Sequence, residues 1–371
     1  MTTPRLLVFP TGIDSALPFV RTAQALGFEI LGASSVPQPS LLPQLTTHFH
    51  LPFVSHAGFD EAFAAAIQTH GITHVYAPHP AVWWHIKTLS QRPNTPFLLC
   101  EPHPFEGHWL EFSPSMAWAQ QQDSGPLVQA LPRAPHGCAP ALNRHQLAGL
   151  HRTFLRTPGE TDEDKLGGLA MIARLAPKGD VVEIGSLFGR SAQALAWLAS
   201  RYRIGSTICV DPWNPAQTTD QGAAAQIVLD SAKHIDMEKV FLNFLATVAT
   251  VPGTSYIRAP STQAIRTYVQ AIPARQLMAP ELDPVPIEGQ IALLHIDGNH
   301  RYDHVRADIE HWAPYLAPYG WLMLDDYVWS FGDGPQRAGD ELLATGDYDH
   351  AFVLSDTLFL RRSPHAGTHS A

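Results

Sequence analysis

Apolar residues along this chain fall into short unbroken runs separated by stretches where they recur every third or fourth position. That is the mark of buried strands alternating with amphipathic helices. In the first hundred residues, runs at 5–10, 28–33, 74–77 and 96–100 predict strands, and the patterns at 16–26 and 59–69 predict helices between them. Pro18 falls in the first turn of its helix, where a missing N–H costs little. The alternation implies a small parallel α/β domain over residues 1–100.

From residue 101 to about 143 the period weakens and Pro102, Pro104, Pro114, Pro126, Pro132, Pro135 and Pro140 punctuate the chain. With a helical pattern at 146–155, residues 101–156 read as a linker with a local helix. Thr157-Pro158-Gly159-Glu160 reads as a helix start, Thr157 capping and Pro158 in the first position, leading to Leu166, Leu169, Ile172 and Leu175. A second α/β domain is expected over 157–362, followed by a frayed tail at 363–371.

Within the second domain, residues 180–184 form a buried run that ends in Glu183-Ile184. A glycine turn from Gly185 to Gly189 and an alanine-rich helix from about Arg190 to Ala199 follow. Glycines allow close backbone approach to a ligand, and the helix start offers unpaired N–H groups and a positive dipole end. Ser186 lies on that turn and Ser191 at the start of the helix. A second run, Thr207–Val210, ends in Asp211, an acid placed to accept both hydroxyls of a ribose, with Trp213 beside it as a candidate flank for adenine. The glycines stand four apart after an acid, so the diphosphate-binding GxGxxG triplet is missing. This spacing favours S-adenosylmethionine over a nicotinamide cofactor.

Two further apolar runs end in acids: Ile291–Ile296 before Asp297-Gly298-Asn299-His300, and 321–324 before Asp325-Asp326. Ligands of open parallel sheets collect at the carboxyl ends of strands. If these two strands are neighbours, three carboxylates converge, a donor set suited to Mg²⁺ or Mn²⁺, which would stabilise a hydroxyl oxygen as it loses its proton. His300 is the candidate base, since imidazole titrates near neutral pH. His295, inside the strand, reads as a hydrogen-bonded core histidine. Tyr302, Val305, Ile309, Trp312 and Leu316 read as one helical packing face. Strand-end acid pairs are also common turn formers and caps, so the placement after two strands carries the reading.

Composition narrows the partners. The 371 residues are 45% hydrophobic, enough for a sizeable core, and Lys plus Arg number 24 against 34 Asp plus Glu, a formal charge of −10. That balance argues against a nucleic-acid or anionic-membrane footprint and for a small-molecule substrate. Cys100, Cys138 and Cys209 lie far apart with no metal spacing, consistent with a reducing compartment. No run of ~18 apolar residues and no signal-peptide pattern is present, so a cytoplasmic location is expected.

These residues carry a resemblance. Val182 to Ser191, Val210-Asp-Pro-Trp213, Ile296 to Tyr302 and Leu324 to Tyr327 resemble motifs of the class I S-adenosylmethionine-dependent methyltransferases. More narrowly, they are similar to those of the metal-dependent sugar O-methyltransferases of macrolide and aminocoumarin biosynthesis. The resemblance implies a Rossmann-like sheet with helices on both faces. It implies cofactor contacts at Glu183, Gly185, Ser186, Gly189, Ser191, Asp211 and Trp213, metal ligands at Asp297, Asp325 and Asp326, and His300 as the base working beside Asp297. Pro260 stands where many relatives carry an acid near adenine, which passes that contact to Ser261. Residues 8–12 and 31–37 resemble the Rossmann-like domain that precedes ATP-grasp folds, and this domain is a candidate for homo-oligomer assembly or substrate covering. The implied reaction is O-methylation of a hydroxylated small molecule such as a glycoside. A dinucleotide-dependent oxidoreductase and a non-catalytic cofactor-binding protein are the competing readings.

Overall fold

A computed structural model describes residues 3–37, 45–122, 137–215, 221, 225–226, 230 and 233–366. The chain divides into two compact units, Met1–Pro114 and Ser115–Ala371.

In the first unit β1 (Arg5–Val8), β2 (Glu29–Ser34), β3 (Thr47–His50), β4 (His74–Tyr76) and β5 (Leu98–Leu99) form a parallel sheet in the order β3-β2-β1-β4-β5. Its helices include α1 (Leu17–Ala25), α2 (Phe59–Thr69) and α3 (Pro80–Ser90). Leu7 and Phe9 enter a core with Phe59 and Phe63, whereas Leu6 and Val8 enter another with Val20. Both faces of β1 are thus buried, which is why the strand reads as an unbroken apolar run. β3 escapes the sequence reading because its Thr-His-Phe-His alternates half-buried and exposed residues at the sheet edge. α3, also unread, opens at Pro80, and the His79 ring accepts from the Ala81 N–H at 3.2 Å.

The stretch read as a linker contains α4 (Pro104–Gln122) and α5 (Arg144–Arg156). Pro104 opens α4, where no N–H is needed, and the helix also accommodates Pro114; its buried residues are only Ser115, Trp118 and Ala119, so the apolar period is faint. Pro126, Pro132 and Pro135 lie outside the described residues. Thr157 does not start a helix. It ends α5, because the residue before a proline is driven out of the helical region, and α6 (Glu163–Ala173) begins later, with Asp162 accepting from the Lys165 N–H at 2.7 Å.

The second unit is built on a seven-stranded sheet in the order β13-β14-β12-β11-β6-β7-β8. Its strands are β6 (Asp180–Ile184), β7 (Thr207–Val210), β8 (Thr254–Ile257), β11 (Ile291–Ile296), β12 (Leu316–Leu324), β13 (Tyr348–Leu354) and β14 (Thr357–Arg362). A hairpin of β9 (Gln276–Ala279) and β10 (Leu282–Pro286) stands apart. The run from β12 to β8 is parallel, and β14 pairs antiparallel with β12 and β13. Helices α7 (Arg190–Tyr202), α8 (Met237–Val248), α9 (Ser261–Ala274), α10 (Tyr302–Trp312) and α11 (Gly334–Ala344) complete it. Val182, Ile184, Leu294 and Ile296 pack in one core with residues of α9, α10 and α11. Leu316, assigned by periodicity to the α10 face, instead opens β12 after a short 3-10 turn over Ala313–Tyr315. This is a Rossmann-like α/β fold whose chain reverses direction across the sheet between β6 and β11. The crevice outside those two carboxyl ends is the expected ligand position.

Candidate active site

At that crevice the glycine turn and the Asp297 loop touch. Gly185 has φ 86°, and a Cβ there would lie 1.9 Å from the Asp297 carbonyl oxygen, so no other residue fits without moving the backbone. The Asp297 N–H donates to the Ile184 carbonyl at 2.8 Å, fixing the acidic loop to the end of β6. Gly189, at φ 91°, precedes α7, and a Cβ there would press on Phe244 at 3.1 Å. Ser191 is buried in the first turn of α7.

The polar groups around the turn largely satisfy one another. Glu183 is fully buried and accepts from the Ser186 hydroxyl at 2.7 Å, while its other oxygen lies 3.1 Å from His295 Nδ1. Asp211 accepts from the backbone N–H groups of Ser186 and Leu187, both at 3.0 Å, and of Trp213 at 2.7 Å. Burial pushes its carboxyl above the ordinary range, against those three donors. With three acceptor positions taken, the carboxylate keeps capacity for one ribose hydroxyl more readily than for two. Trp213 is also more enclosed than an adenine flank requires. It is 3% exposed, packs against Phe241 and Phe244, and donates from Nε1 to the Leu187 carbonyl at 2.9 Å. Residues 216–220, 222–224, 227–229 and 231–232, between Trp213 and α8, lie outside the described residues.

Ser261 opens α9 and donates to Asp308 of α10. Asp308 is 5% exposed, and burial pushes its carboxyl up to about 6. Sequence reasoning missed this acid, although its position three after Val305 on an apolar helix face was a usable signal.

The second polar group lies at the ends of β11 and β12. Ligand atoms of Asp297, His300 and Asp326 lie within 4.8 Å of one another, and so do those of His295, Asp297 and Asp325. His300 Nε2 is 2.8 Å from Asp326 Oδ2, and its ring stands edge-on to Trp329 with centroids 4.4 Å apart. His300 Nδ1 is sheltered and has no hydrogen-bond partner among the described residues. The His300 N–H donates to the Gln221 side chain at 2.7 Å. His295 is fully buried, as expected of a core histidine, but its Nε2 has no hydrogen-bond partner among the described residues and lies 4.0 Å from Asp297 Oδ2.

Asp325 differs from its neighbours. The buried ammonium of Lys165, on α6, pairs with its Oδ2, and Thr357 Oγ1 donates to its Oδ1 at 2.6 Å. Burial works against ionisation of Asp325, but the Lys165 charge overrides it and holds the carboxyl well below the usual range. Asp297 shifts the other way, raised by loss of hydration and by the Asp325 charge. No local pattern announces Lys165, which stands 160 residues from its partner.

Residues 182–327 match the model of a family described as a methyltransferase domain. No curated protein matches the chain. Similar solved structures include a TDP-rhamnose 3'-O-methyltransferase of calicheamicin biosynthesis, at 18% identity over 73% of this chain and 99% of that chain, with TM-score 0.35. The O-methyltransferase NovP shows 17% identity over 67% and 99%, TM-score 0.36, and a putative O-methyltransferase from Klebsiella pneumoniae shows 15% over 67% and 98%, TM-score 0.34. Residues 182–327 thus combine a match to a methyltransferase domain with a Rossmann-like sheet order.

Proposed function

We propose that the second unit is an S-adenosylmethionine-dependent O-methyltransferase acting on a hydroxylated small molecule, a glycoside or related natural product, with a divalent cation assisting. The observation that carries this reading is the direct contact between the glycine turn and the acidic loop, Gly185 against Asp297. It brings the glycine turn beside the proposed proton acceptor and cation ligands at the carboxyl ends of β6, β11 and β12.

The residues fit both groups. Gly185 and Gly189 let the turn pack against the Asp297 carbonyl and Phe244, and the turn leads into the N-terminus of α7, an end whose free N–H groups suit a polar or anionic cofactor group. Asp297 and Asp326 suit a hard cation such as Mg²⁺ or Mn²⁺, which commonly uses one or two protein carboxylates and completes its shell with water or substrate, and the His300 ring lies alongside them as the proton acceptor. When bound, S-adenosylmethionine supplies an electrophilic methyl group and the cation lends Lewis acidity to a hydroxyl oxygen.

The chain's own residues do the rest. Asp326 accepts from His300 Nε2–H, which leaves Nδ1 as the basic atom that takes the hydroxyl proton. Trp329 packs edge-on against the ring and holds its orientation. Glu183, buried and bonded to Ser186 and His295, fixes the end of β6. Calorimetry tests the cofactor: heat on titration with S-adenosylmethionine and none with NAD(H) is expected, and the reverse would establish the oxidoreductase reading instead.

A further inference from the structure

Lys165 is 2% exposed, and its backbone N–H is held by the Asp162 cap at 2.7 Å. Asp162 also accepts from Ser355, in the turn between β13 and β14 that carries Asp356 and leads into Thr357 at the start of β14. The ammonium is therefore anchored from two sides, and it faces Asp325 Oδ2 directly and Asp356 Oδ1 at 3.9 Å. Thr357 takes the other Asp325 oxygen. Among the three strand-end carboxylates, Asp325 alone pairs directly with the ammonium, whose charge reaches Asp297 at longer range, whereas His300 pairs with Asp326 and His295 Nε2 lies 4.0 Å from Asp297.

We propose that the Lys165 ammonium fills the cation position at Asp325 and so confines a divalent ion to the Asp297, Asp326 and His300 side of the cluster. The inference rests on the metal-assisted reading above and narrows its ligand set. Two cations cannot share one buried carboxylate without strong mutual repulsion, because the low local dielectric weakens little of it. Lys165 is thus a positioning residue: its ammonium holds Asp325 as a wall of the site and limits the cluster to one ion instead of two.

Mn²⁺ titration of the full chain, followed by the paramagnetic resonance of the unbound ion, tests this without any turnover assay. The double variant Lys165→Met/Asp325→Asn removes both charges together and leaves no uncompensated one. It is expected to bind Mn²⁺ with wild-type stoichiometry and affinity within about twofold; a tenfold loss would make Asp325 a ligand and overturn the proposal. Lys165→Met alone is expected to bind a second equivalent, or to bind at least tenfold more tightly. Unchanged Mn²⁺ binding in that variant, with native circular dichroism, overturns the proposal and leaves metal assistance standing. Mn²⁺ binding in Lys165→Met but not in the wild type supports the lysine's role while removing the metal from the native reaction.

Discussion

The two halves of the site are built on opposite plans. Around the glycine turn, the buried carboxylates of Glu183 and Asp211 are met by hydroxyl, imidazole and backbone donors from the unit itself. At the ends of β11 and β12, three carboxylates and two histidines gather with one ammonium, and His295 Nε2 and His300 Nδ1 find no hydrogen-bond partner among the described residues. Buried polar atoms without partners are costly, and they concentrate where a ligand or a proton is to be received. The first half is a finished frame. The second is charged and incomplete.

The most severe way to break that contrast is at the contact between the halves. Gly185→Ala would drive a Cβ into the Asp297 carbonyl and force an unfavourable φ, so a loss of more than about 3 kcal/mol in urea unfolding is expected, together with loss of cofactor binding. His300→Ala acts on the incomplete half alone. Turnover should fall by roughly 10²- to 10⁴-fold while calorimetric affinity for S-adenosylmethionine stays within a few-fold. A matching loss of affinity would mean that the histidine holds the cofactor site instead.

Asp308 sharpens the comparison from the finished side. Its native carboxyl, raised to about 6, favours the protonated form in the folded state, so its contribution is fully present below pH 4 and lost as pH rises through 6. Asp308→Asn should therefore be more stable than the wild type by up to about 3 kcal/mol at pH 7 and no more stable at pH 4, as read from urea melts at the two pH values. The smallest effect belongs to Trp213→Phe, which removes the bond to the Leu187 carbonyl. A loss of about 1 kcal/mol in stability with turnover retained is expected, whereas a large rise in KM for the cofactor would return this ring to the adenine.

The same contrast explains what the sequence could reveal. Thr207–Val210 and Ile291–Ile296 are legible as strands because both faces are buried and turn-forming residues bound them. Their terminal acids are legible because strand ends in such sheets face ligands. What those acids touch is a matter of tertiary structure. The Asp211 carboxylate turned toward three N–H groups, the Ser261 hydroxyl on Asp308 and Lys165 on Asp325 all join segments that no local period connects. Thr157 misled for the opposite reason, since a threonine before a proline suits a helix start by local pattern, and only the end of α5 shows that it terminates one.

The central claim is transfer of a methyl group to a hydroxyl at a cation-assisted site. It is tested most directly by incubating the full chain with methyl-labelled S-adenosylmethionine and a panel of hydroxylated glycosides, in chelator and then with Mg²⁺ restored. Label on a hydroxyl oxygen that disappears in chelator and returns with Mg²⁺ is the predicted result. Label transferred equally well in chelator would contradict the role of the cation, and label on no hydroxyl of the panel would contradict the assigned reaction.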